Sequence, residues 1–347
     1  MLRKVLTWSS GPILAAFFLW WAFRGVSLSQ LASHLKEASW PLVGVAMLLV
    51  IGHLALRSLR WRTLLDPVRP RLPFDALMSA TTVGYMASLL PGRVGEVLRP
   101  ILLSRRTGTP LAPAIATVGV ERIVLDMLGI LGCGGLALVL PSRLTAIGTG
   151  ADPVLLATLR AWGAALFIFA IAGLVAASLV ARHIEPVTRW IDGVSARTAS
   201  ALARRMMGLF ASLLPGLGAF ATLRGVLLLV AETAAVWGII AVGNWCGIRA
   251  AGVDIPLLGA LILIPILAVG IGIPTPGGTG TFHFAMKLGL TQIFGISADA
   301  ALSAAVLVHA MTWLPVLAAG ALYVARGALR RPEPGADDAV PVTEAVP

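Results

Sequence analysis

Apolar positions along this chain gather into long runs that carry few or no charges and are separated by short basic segments. The runs predict helices at Val5–Phe23, Trp40–Leu56, Pro113–Leu140, Ala161–Ala181, Gly225–Gly247 and Ala298–Ala325. Each holds about 20 residues, enough to cross a hydrocarbon core roughly 30 Å thick. An all-α polytopic membrane protein follows, because lipid leaves every backbone polar group to be satisfied within its own segment. The first run follows Arg3-Lys4, and Ser27-Leu28-Ser29 offers a small-x-small site, so a signal peptide competes with an anchored helix. Trp20-Trp21 and the later spans favour the helix.

Two further apolar segments carry a break at their centre. Phe74–Arg106 is interrupted by Leu90-Pro91-Gly92-Arg93-Val94-Gly95-Glu96, and Ile255–Gly295 by Pro274-Thr275-Pro276-Gly277-Gly278-Thr279-Gly280. Proline removes a backbone donor and glycine permits positive φ, so neither centre sustains a helix. Charge places the first segment as leaving the cytoplasm and returning to it, and the second as entering from the other face. We therefore expect about seven spanning helices plus two re-entrant hairpins of opposite orientation, with an inverted repeat as the implied symmetry. Two full crossings for each segment are the competing reading. One transmembrane domain, residues 1–330, and a disordered cytoplasmic tail, residues 331–347, complete the expected organisation.

Composition agrees with this class. Of 347 residues, 58% are hydrophobic and 12% charged, against roughly 25% charged in a soluble domain; mean hydropathy is +0.89. That excludes an ordinary cytosolic enzyme. The net charge of +11 comes from 24 Arg and three Lys against 16 acidic residues. These basic residues lie mostly between apolar runs, which points to topology and anionic head groups, with no nucleic-acid partner. Arg57, Arg60, Arg62, Arg69 and Arg71 form the densest basic loop. With Arg3-Lys4 and Arg326–Arg331 it places both termini in the cytoplasm; a bacterial-type inner (plasma) membrane is the expected location. An interfacial helix is expected around Ile191–Phe210. Trp8, Trp20, Trp21, Trp40 and Trp61 read as interface anchors. Cys133 and Cys246 sit within apolar runs and suit no metal, and no cofactor is expected.

Ionisable residues concentrate between Pro91 and Asp126. Arg93, Glu96 and Arg99 recur every three residues and share one side of a short helix. Arg122 and Asp126 stand four apart and can pair; Glu121 points about 100° away and needs another partner, Arg93 or Arg99. A charge within a span costs roughly 2.5–3.5 kcal/mol, so these groups line a cavity or pair with one another. Ion pairs that only staple helices are the plainer reading. The Gly-Gly-Thr-Gly run lacks the Gly-Lys-Ser/Thr ending of a nucleotide loop; a helix N-terminus beyond it can hold a lipid phosphate. Glu232 reads as a cavity or pairing residue, and Asp299 as a helix-end charge.

The run Leu90–Arg99, followed by Glu121-Arg122-x-x-x-Asp126 and by Pro274-x-Pro-Gly-Gly-Thr-Gly280, resembles the lysylphosphatidylglycerol synthase transmembrane region family, flippase-like integral membrane proteins. The resemblance covers roughly residues 1–330. It implies movement of a phospholipid or polyprenyl-linked lipid between leaflets. Members that make aminoacylated lipid carry a further soluble catalytic domain; here the chain ends soon after its last span, so that synthase activity is not implied. Many members carry Glu where this chain has His283, which shifts the expected ligand away from a cationic head group. The expected substrate-binding set is Arg93, Glu96, Arg99, Glu121, Arg122, Asp126, Pro274, Gly277, Gly278, Gly280, His283, Lys287 and His309. Guanidinium suits an anionic phosphate through its two parallel donors. The leading function is a lipid flippase or scramblase without its own ATPase. A membrane-embedded lipid-linked transferase and a non-catalytic partner of a glycosyltransferase or lipid-modifying enzyme are the alternatives. A homodimer is a further possible assembly.

Overall fold

The computed structural model describes residues 2–25, 27, 29, 33, 35–90, 94–141, 153–197 and 200–327. Arg93 and the tail 331–347 lie outside them. The described residues form helices and no strand. Those helices are α1 (Leu2–Phe23), α2 (Trp40–Leu65), α3 (Phe74–Ala87), α4 (Val94–Thr107) and α5 (Leu111–Val139), then α6 (Pro153–Arg182), α7 (Ile184–Arg197) and α8 (Ala201–Leu213). After a 3₁₀ segment, Leu214–Ala221, come α9 (Leu223–Ala250), α10 (Ala260–Gly272), α11 (Thr281–Phe294) and α12 (Ala298–Ala325). Five of these stretches, Trp40–Leu65, Leu111–Val139, Arg160–Arg182, Leu223–Ala250 and Ala298–Ala325, are long and apolar enough to cross a membrane. About seven spanning helices were expected. The protein is a multi-pass, all-α membrane protein.

Local chemistry sets several of the helix ends. Thr222 caps α9 by accepting from the Gly225 amide at 3.1 Å, and Ser297 caps α12 through Ala300. Gly295, at φ +67°, ends α11 in the left-handed region that a side chain would resist.

Both expected breaks separate short helices. α3 and α4 have 14 residues each, α10 has 13 and α11 has 14. At 1.5 Å per residue each is about 20 Å long. α3 and α4 pack closely where Gly84 faces Gly95, and a Cβ on Gly95 would collide with the Gly84 carbonyl and the Ser88 hydroxyl. Gly95→Ala should destabilise the protein by about 2 kcal/mol through overpacking, read as a lower unfolding temperature in detergent.

Two apolar cores share the long helices α2 and α9. One gathers Ala46, Cys246, Leu263, Met286 and Val308 around the second broken hairpin. The other gathers Trp61, Leu77, Leu103, Val118 and Leu229 around the first.

Three expectations need correction. The second span does not stop at Leu56. α2 continues to Leu65 because Leu54, Trp61, Leu64 and Leu65 keep one buried stripe at helical spacing, so Arg57 and Arg60 belong to a helix interior. Trp61 is fully buried and donates to Thr117 Oγ1 at 3.0 Å, so it is a core residue. The helix expected at Ile191–Phe210 is two helices, α7 and α8.

Candidate functional site

The site begins with an irregular turn. Within α5, residues Glu121–Asp126 form a π-helical segment. In an α-helix residues five apart differ by about 140°; hydrogen bonding from i to i+5 closes a wider turn, which lets both carboxylates face α2. There they meet Arg57 and Arg60, one turn apart on that helix.

Glu121 is wholly buried and serves three guanidinium groups: Arg57 Nη1 at 3.2 Å, Arg60 Nη2 at 3.0 Å and Arg99 Nη1 at 2.7 Å. Asp126 serves Arg57 at 3.0 Å, Arg60 at 2.6 Å and Arg122 at 2.9 Å. Arg122 also faces Glu96 at 3.5 Å. Four Arg against three carboxylates leave the cluster at +1. Arg99 adds a stack on Trp61, 4.0 Å from the ring centroid. Arg57 donates through Nε to His53 Nε2 at 2.8 Å, and Arg60 to Thr233 Oγ1 at 3.3 Å.

Beside this cluster lies a cavity of about 490 Å³. Its charged wall is Arg57, Glu96, Arg122 and Asp126, with His53 and Tyr85. The second break, Pro274, Thr275, Gly277 and Gly278, lines it too, with His309 and Trp313. Leu49, Val50, Ile240, Ile264 and Leu267 supply apolar surface. The two breaks meet at this cavity: a Cβ on Gly277 would lie 2.5 Å from Leu89 Cδ2, in the turn that ends α3. Gly277 (φ +59°) and Gly278 (φ +72°) take a backbone path that L side chains resist. The Gly277 carbonyl accepts from Trp313 Nε1 at 3.0 Å and lies 3.1 Å from His309 Nε2, which ties the break to α12.

Of the residues expected from sequence, Glu96, Arg122, Asp126, Pro274, Gly277, Gly278 and His309 line the cavity. Arg99 and Glu121 stand behind its wall, within the ionic cluster. Gly280 (φ +83°) instead lies against α1, where a Cβ would sit 2.5 Å from the Ala15 carbonyl oxygen. His283 is buried with its ring 4.6 Å from His309 and accepts from the Gly280 amide at 3.4 Å. Lys287 donates to the Ala22 carbonyl at 2.8 Å and the Arg24 carbonyl at 3.3 Å, closing the C-terminal end of α1. Lys287→Met should therefore cost about 1 kcal/mol of stability, seen in thermal unfolding, and leave cavity chemistry unchanged. Glu232 accepts from Thr63 at 2.9 Å; Asp299, in the first turn of α12, accepts from the Ser27 amide at 2.8 Å.

Sequence reasoning missed Arg57, Arg60, His53, Tyr85, Trp237 and Asn244. The spacing His53, Arg57, Arg60 is helical and was the available signal for the first three. The aromatic and amide residues lie in apolar runs without any distinguishing pattern.

A model of the lysylphosphatidylglycerol synthase transmembrane region matches residues 8–320. The chain belongs to that family. It is also similar to a protein named glycosyltransferase AglD from Haloferax volcanii, 28% identical over 307 residues. The match covers 82% of this chain and 48% of that protein, so the chain spans about half the length of the curated relative it matches. Family membership makes this a membrane protein of a lipid-related group.

Proposed function

We propose that the protein moves a phosphate-bearing lipid, an anionic phospholipid or a polyprenyl-linked lipid, between leaflets as a flippase or scramblase without its own ATPase. One observation carries the reading: a single cavity is lined by Arg57 and Arg122, by a broken helix and by apolar surface. A lipid needs that combination, charge for its head and apolar surface for its tails. In this reading α3–α4 and α10–α11 are re-entrant hairpins entering from opposite faces, with both termini cytoplasmic. Their short helices support it, since about 20 Å falls short of a hydrocarbon core roughly 30 Å thick. The contact of Leu89 with Gly277 then joins the two hairpins, and parting them alternately opens the cavity to either side.

Extraction and mass spectrometry of lipid held by the purified protein test this. The expected result is a phosphate-bearing lipid retained in stoichiometric amount. Retention of neutral lipid alone would overturn the reading.

The likeness to a protein named a glycosyltransferase favours a second reading, a membrane module that serves a glycosyl-transfer reaction on a lipid carrier. It makes no demand on leaflet exchange, and the exchange assay described in the Discussion separates the two.

A further inference from the structure

One ionic contact in the cavity wall differs from the rest. The six contacts made to Glu121 and Asp126 span 2.6–3.2 Å. Arg122 Nε stands 3.5 Å from Glu96 Oε1, and this N–H makes no hydrogen bond among the described residues. The two side chains are 32% and 33% exposed, whereas the other members of the cluster are nearly or wholly buried. Both line the cavity. Glu96 belongs to the first turn of α4, directly after the first break. A long ion pair between two side chains that are each one-third exposed contributes at most about 1 kcal/mol, so this carboxylate leaves easily. Arg122 cannot do without a second anion as easily, because Asp126 is already shared with Arg57 and Arg60.

We infer that Glu96 holds the place on Arg122 that a lipid phosphodiester takes, and that it is the residue which selects phosphodiester lipids over lipids without phosphate. This rests on the phosphate reading above. The cluster carries four guanidinium groups and three carboxylates. Exchanging one carboxylate for one phosphodiester, each with a single negative charge, leaves its balance at +1. A neutral lipid brings no charge to replace Glu96, so the pair stays closed and the cavity stays narrowed. The phosphodiester gains what Glu96 does not reach, a hydrogen bond from the unspent Nε donor of Arg122. Because Glu96 sits in the first turn of α4, its release frees the start of that helix next to the break.

The test uses the full chain in detergent, with native mass spectrometry of short-chain phosphatidylglycerol and short-chain diacylglycerol as probes. Glu96→Gln removes the competing charge and should tighten phosphatidylglycerol about fivefold, the equivalent of the pair's worth, and diacylglycerol by a larger factor, because the pair no longer narrows the cavity against it. Glu96→Asp, one methylene shorter, should shift affinity in the same direction by a smaller factor, and it retains a carboxylate should the Gln variant not fold. Unchanged or weaker phosphatidylglycerol binding in these variants overturns the inference. A wild type that holds diacylglycerol as tightly as phosphatidylglycerol, together with an Arg122→Gln variant that binds like wild type, overturns the phosphate reading itself.

Discussion

Glu121→Gln should lower stability by about 3–5 kcal/mol, the range found when one partner is removed from a buried ionic group. Glu121 is wholly buried and its two oxygens serve Arg57, Arg60 and Arg99. Glutamine keeps the shape but turns one acceptor into a donor that faces guanidinium. Arg99 then loses its only carboxylate among the described residues while 3% exposed. Thermal unfolding of the purified protein measures the loss, and a double variant assigns it. Replacing Arg99 by Met in the Glu121→Gln background should cost less than in the wild type, because the stranded charge leaves with it. Strictly additive losses would mean that the two residues do not interact.

Arg122→Gln has the opposite profile, a large functional effect with a small structural one. Arg122 is the cluster's most exposed guanidinium, and Asp126 keeps Arg57 and Arg60 when it is removed. The cluster falls from +1 to neutral and no buried carboxylate is stranded. Glu96, one-third exposed at the cavity, remains hydrated. The cavity loses the cation with an unspent donor. Lipid transfer should fall at least tenfold, about 1.4 kcal/mol in the barrier, while the unfolding temperature changes little. Equal losses of stability and transfer would reduce Arg122 to a structural role.

Much of this arrangement was legible in the sequence, for reasons that also explain the gaps. The two breaks are written as Pro and Gly, whose backbone effects are local, and both separate helices where expected. The pairing of Arg122 with Asp126 followed from a spacing of four. The partners of Glu121 were harder to read. Arg99 was a candidate, but Arg57 and Arg60 were counted with a loop because a run of Arg after an apolar stretch has the composition of a membrane-flanking segment. Their burial depends on carboxylates more than 60 positions away, a long-range complementarity that no local window contains. The π-helical turn is equally silent, since the residues Glu121–Asp126 suit an α-helix just as well. Lys287 was expected among the substrate-binding residues, yet the carbonyl end of α1 holds it, again a contact set by tertiary packing.

The central claim is that this cavity carries a lipid head across the membrane. Leaflet exchange in proteoliposomes tests it most directly, using a fluorescent phosphatidylglycerol and a membrane-impermeant quencher added outside. In protein-free vesicles the quencher should reach only the outer-leaflet label. With the wild type it should reach nearly all of the label, and with Arg122→Gln in matched amount the slow inner fraction should return. Wild-type vesicles that protect their inner leaflet as fully as empty ones would contradict the account.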